Sequence, residues 1–291
     1  MKTQTIDSRL VRPSPIAGTW YPGTPEGLRE TVDDLLAHAG YIPTQDALIA
    51  LISPHAGYPY SGQTAAYAYR QLTGSQYDAV VLLGPSHYDD YGPFAISSKK
   101  YYATPLGTLE LDQEFIAALG ARSPLTRVER DKEHSLEIQL PFLQRMLGDF
   151  KIVPLMMSLP FYIFGEEALA PCRKLADALA ELSKSRRVLL VASSDLSHLS
   201  DYALVKELDA RTEELVAAYD IPGLVRYMWQ ARECRACGDA PIVTALLAAQ
   251  ALGADRVQVL QRTNSADVTG EREQAQYVVG YMAAGVYRSN Q

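Results

Sequence analysis

The chain has 291 residues, 47% of them hydrophobic, and a formal net charge of −7 from 27 basic and 34 acidic side chains. That is enough apolar material for a large core, while the acidic balance, with "SKSRR" and "SSKK" as isolated patches, argues against a nucleic-acid footprint. No stretch reaches the roughly 20 apolar residues that span a bilayer, "MKTQTIDSRLVRPSP" lacks a signal-peptide core, and three cysteines are too few for a disulfide framework, so a soluble, cytoplasmic protein is expected.

In chain order, the first strong element is Ala47 to Ile52, an apolar run too short for a helix and uniform enough for a strand buried on both faces. Pro54 stops it, and His55 follows in "SPHAGYPYSG", ahead of a helical "QTAAYAYRQL". The pattern repeats at Ala79 to Leu83, then "GPSH" with His87. An irregular stretch, "YGPFAISSKKYYATPLGTLELD", reads as short strands or a hairpin before a helix at "QEFIAAL". A helix from about Glu133 to Leu147, with His134 near its start, leads to the strand "FKIVPLMMS" and a helix from about Glu166 to Leu182. Val188 to Ala192 is a third strand followed by a histidine, His198 in "SSDLSH", before a long helix from about Tyr202 to Ala218. A helix at "APIVTALLAAQAL" and two closing strands, "RVQVLQRT" and "QYVVGYMAAGVY", complete the chain.

Strands alternating with helices predict an α/β fold with a mostly parallel central sheet flanked by helices. With no Pro/Gly/Ser-rich linker and no internal repeat, residues 12–288 are expected to form one domain after an extension of residues 1–11. Three of only five histidines follow buried strands, where open α/β sheets bind ligands; His38, in "LLAHAGYIP", reads as an ordinary helix-end residue. Cys237, in "ECRACGDAPI", precedes a helix start marked by Gly238, Asp239 and Pro241, where the helix dipole favours a thiolate. Its CxxC partner Cys234 has no second pair to complete a structural zinc site. Convergent histidines and a thiolate point to a mononuclear site for iron, copper or zinc.

The ordered motifs "RPSPIAGTWYPG", "SPHAGYPYSG", "LLGPSHYDDYG", "EHSLEIQLPFL", "SSDLSH" and "CGDAPI" resemble those of the Memo family, called AmmeMemoRadiSam system protein B in bacteria and archaea. The resemblance runs from about Arg12 to Tyr287 and implies the fold of the LigB-type class III extradiol dioxygenases. It makes His55, His87 and Cys237 the metal ligands, with Fe(II) first and copper or zinc as alternatives. The thiolate replaces the glutamate of the ring-cleaving enzymes and puts ring cleavage itself in question. His134 and His198 are implied to position substrate or move protons, and Trp20 and Tyr21 to line the cleft or pack in the core. Asp195 is read as an acceptor that fixes a histidine tautomer, or as a helix cap. The implied function is metal-dependent redox or oxygen-activating chemistry on an unknown small-molecule or peptide substrate. A radical SAM protein and an AMMECR-type protein are the implied partners, without nucleic acid or membrane; the alternative is a peptide- or metal-binding adaptor.

Overall fold

The computed structural model describes residues 6–158, 166–230, 236–272 and 276–290. Its first half contains β1 (Val11–Arg12), α1 (Pro25–Ala37), β2 (Ala47–Ser53), α2 (Gln63–Arg70), β3 (Ala79–Pro85), β4 (Phe94–Ser97), β5 (Tyr101–Thr104), β6 (Gly107–Glu110), α3 (Gln113–Gly120) and β7 (Thr126–Val128). There follow α4 (His134–Glu137), α5 (Leu140–Met146), β8 (Lys151–Met157), α6 (Glu166–Ser183), β9 (Val188–Ser193), β10 (His198–Leu199), α7 (Tyr202–Ala217), α8 (Ile221–Val225), α9 (Asp239–Ala251), β11 (Arg256–Asn264), α10 (Ser265–Thr269) and β12 (Val278–Arg288).

The three apolar runs that precede histidines become neighbours. The main sheet runs β10-β12-β2-β9-β3-β8-β4-β7, with β11 also paired to β12. Its centre, β2-β9-β3-β8, is parallel throughout. The flanks are antiparallel where β12 meets β2 and where β4 meets β8. All seven residues of β3 and all six of β9 are buried, as uniform apolar strands require when helices cover both faces. Helix α9 packs on β2, β3 and β9, and α2 on β2 and β12. The fold is mixed α/β with one curled central sheet flanked by helices. The closing strands β11 and β12 pair antiparallel, with a register shift between Val259 and Gln261.

Two local expectations change. The single helix read from Glu133 to Leu147 is two, α4 and α5, broken at Ile138 and Gln139. Pro141 has no N–H to donate back to Glu137, so the first helix cannot continue through it. The irregular stretch divides: β5 and β6 form a hairpin that joins β1 in a separate three-stranded sheet, whereas β4 joins the main one.

Candidate metal centre

Because β9 lies between β2 and β3, the segments that lead to His55, His87 and His198 leave adjacent strand ends. His55 is buried, and its ring Nδ1 lies 3.0 Å from Ser193 Oγ at the end of β9. The surrounding hydrogen bonds define its tautomer. Gln139 Nε2 donates to the Pro54 carbonyl at 3.0 Å and to Ser193 Oγ at 2.8 Å, while Tyr69 donates to Gln139 Oε1 at 2.7 Å. Ser193 Oγ gives its one proton to the Ser135 carbonyl at 2.6 Å. Its remaining role toward His55 is acceptor, so Nδ1 carries the hydrogen and Nε2 offers a lone pair. Burial first, and then the nearby His87, push the His55 pKa well down, which keeps the ring neutral as a ligand must be.

Asp195 acts differently from the sequence reading. Its Oδ1 accepts from the backbone N–H of His55 at 2.7 Å and of Ala56 at 3.3 Å, not from a histidine ring, and it caps no helix. The reason is topological: β2 and β9 are paired, so the carboxylate meets the backbone of the adjacent loop, while Ser193, nearer the strand end, meets the ring.

His87 is held by Glu133. The carboxylate accepts from the His87 backbone N–H at 2.7 Å and pairs with the ring Nδ1 at 2.9 Å, leaving Nε2 for a metal. Glu133 is also the cap of α4, accepting from Ser135 N–H at 2.8 Å. Burial alone would raise its pKa, but the His87 hydrogen bond and the charges of His87 and His134 hold it down at about 2. The His87 side chain keeps 27% exposure, so the centre has an open side. His134 stacks on His87 with centroids 4.4 Å apart and meets Trp20 in a tilted contact at 4.2 Å, and its Nδ1 lies 3.0 Å from the Tyr88 hydroxyl. Burial, followed by His55, lowers its pKa to about 3. Tyr21 instead turns to Glu137, donating at 2.6 Å.

Beneath Glu133 lies Arg12, 2% exposed. Its guanidinium pairs with Asp131 at 2.8 Å, contacts Glu137 closely, donates to the Glu133 carbonyl and stacks 4.5 Å from the Tyr102 ring centroid. Asp131 in turn accepts from Glu133 N–H at 2.9 Å. The charge cluster thus fixes the backbone from which Glu133 reaches His87.

Cys237 arrives from α9. A Cβ on Gly238 would stand 2.5 Å from the Ser193 carbonyl, so only glycine lets this helix start approach β9 closely enough to set Cys237 Sγ 3.1 Å from His55 Nε2. Against the pull of the helix start, burial, then Asp195, push the thiol well above its usual range; a bound cation would draw it back toward the thiolate. Cys234 lies outside the described residues, and Cys172 is buried elsewhere.

The ligand atoms of His55, His87 and Cys237 all lie within 4.8 Å of one another. Bonds of about 2.0–2.3 Å to one divalent ion fit that spread, and two imidazoles with one sulfur suit iron, copper or zinc. His198 lies beside this group, near enough for its charge to act on His55 and Asp195; its Nδ1 faces the Leu196 carbonyl at 2.9 Å. His38 caps α1, exposed and bonded to Asp34, with no part in the cluster. A groove of about 680 Å³ near Tyr41, Asp46, Arg187 and Arg288 lies at the opposite strand ends and holds none of these groups. Glu133, Ser193, Gln139 and Tyr88 were not singled out from sequence; the only signal was that Glu133 directly precedes His134.

Glu133→Gln is expected to weaken Fe(II) or Cu(I) binding roughly 10–100-fold while the protein stays folded, measured by competition with a chelator. Unchanged affinity would show that the carboxylate does not support His87.

The Memo-like protein family model matches residues 12–285. A relative from Methanosarcina mazei named "MEMO1 family protein" is 34% identical over 275 residues, covering 94% of this chain and 98% of its own. One of the same name from Aeropyrum pernix is 35% identical over 285 residues, covering 93% and 97%. A solved structure of an uncharacterized Escherichia coli K12 protein aligns with a TM-score of 0.49 at 12% identity, over 81% of this chain and 99% of that one. With the family model spanning nearly its whole length, the chain belongs to the Memo family.

Proposed function

We propose that this protein is a non-haem, metal-dependent redox or oxygen-activating protein, with His55, His87 and Cys237 as ligands and Fe(II) as the first candidate metal. The observation that carries this reading is the cluster of three ligand atoms within 4.8 Å, with each imidazole held at Nδ1 by Ser193 or Glu133. Two histidines and a thiolate leave positions open on a first-row metal, and iron there supplies one-electron chemistry toward oxygen or an organic substrate. The surrounding residues divide the remaining tasks. His134, neutral and wedged between Trp20 and His87, orients a substrate by hydrogen bonding alongside Tyr88. His198, half-buried with Nδ1 tied to the Leu196 carbonyl, keeps Nε2 to take and return a proton. Asp195 holds the His55 loop during this exchange.

The substrate is a small molecule or peptide. A radical SAM protein and an AMMECR-type protein are the proposed partners, on the strength of family membership alone. The adaptor reading would need free cations to receive an acidic peptide. Arg12, whose charge reaches His134, is already committed to Asp131 and Glu137, which weakens that reading.

In an oxygen electrode with ascorbate as reductant, iron-loaded protein is expected to consume oxygen faster than equimolar free iron, and zinc-loaded protein not at all. Uptake no greater than that of free iron would defeat the redox reading and favour the adaptor.

A further inference from the structure

Helix α7 turns Val205, Thr212, Leu215 and Val216 inward, and among them stands Asp209, 1% exposed. A buried carboxylate is costly unless its oxygens are engaged, and among the described residues Asp209 makes no ion pair; Arg262 acts on it only at longer range and is bound to Glu213. What Asp209 does engage is the chain just ahead of His198. Its Oδ1 accepts from Ser197 N–H at 3.1 Å. β12 grips the same segment next to Asp209: Leu196 N–H donates to the Gly280 carbonyl at 2.8 Å and Gly280 N–H to the Ser197 carbonyl at 2.9 Å. The two grips are fitted to each other, because a Cβ on Gly280 would come within 1.7 Å of Asp209 Oδ2. Leu196, held in this clamp, supplies the carbonyl that faces His198 Nδ1.

We infer that Asp209 is a positioning residue for His198, acting with Gly280 to hold the Leu196–Ser197 backbone so that the imidazole presents Nε2 to the metal cleft. Its use to the protein rests on the reading of His198 as the proton carrier.

The test is nitrogen NMR of the full-length, metal-free protein, following the His198 ring and the Ser197 amide. Wild type is expected to show a single Nδ1–H tautomer and a protected Ser197 amide. Asp209→Ala gives mixed tautomers and Ser197 exchange about tenfold faster, the loss expected of one hydrogen bond. Asp209→Asn, whose amide oxygen accepts the same N–H, restores both, and Gly280→Ala, whose Cβ would displace the Asp209 carboxylate, reproduces the defect. If Asp209→Ala fails to fold, the contrast between Asp209→Asn and Gly280→Ala decides. An unchanged His198 tautomer in folded Gly280→Ala, or protection lost evenly across α7 and β12, overturns the inference. No turnover is measured, so this outcome is independent of whether His198 moves protons.

Discussion

Cys237→Ala protein purified without oxygen or added metal is expected to come out metal-free, against near-stoichiometric iron or copper in the wild type. The sulfur is the only anionic donor among the three proposed ligands, and removing it would leave two neutral imidazoles to hold a dication. Changes to groups that merely support a ligand cost about 10–100-fold in metal affinity; loss of the thiolate should exceed about 100-fold. His55→Ala should do the same, since Ser193, Gln139, Tyr69 and Pro54 all serve to aim its Nε2. Elemental analysis, followed by titration with Fe(II) and Cu(I), reads the result directly. Wild type that is metal-free and refuses both ions would turn the cleft into a binding pocket and bring the adaptor reading forward.

Arg12→Leu is expected to destabilise the protein by about 3–5 kcal/mol, because it leaves Asp131 and Glu137 buried without their cation. The Glu137 carboxyl is already pushed up by burial against the pull of Arg12, and Ser14 and Tyr21 offer it only neutral hydroxyls. The Glu133 carbonyl would lose its guanidinium donor as well, so residual folded protein should bind metal more weakly. Urea denaturation of metal-free protein isolates the first effect, and chelator competition on the folded fraction the second. A loss below about 1 kcal/mol, the range of exposed ion pairs, would mean that the cluster relaxes into contact with water.

Much of the centre was legible along the chain. Apolar runs at Ala47–Ser53, Ala79–Pro85 and Val188–Ser193, each closed by proline or small residues and followed by histidine, encode strand, stop and ligand within about a dozen contiguous residues. Gly238 before α9 marked the arrival of Cys237 for the same local reason. Family motifs named His55, His87 and Cys237 as candidate ligands, and the fold brings these three together.

What the chain could not show was who stands beside whom. That β9 lies between β2 and β3 depends on which apolar faces bury best together, a property of the whole core, and it alone brings Asp195 to the His55 backbone, 140 residues away. The Arg12–Glu137 pair spans 125 residues, and no local periodicity records it. The thiol of Cys237 shows the difference most clearly: its helix start is written in "CGDAPI", but the upward push on its pKa comes from burial and from Asp195, which only the folded chain supplies. Periodicity and turn chemistry act over a few residues, whereas desolvation and charge act across space, so the sequence by itself determined most of the elements and the candidate donors while the tertiary structure decided their partners.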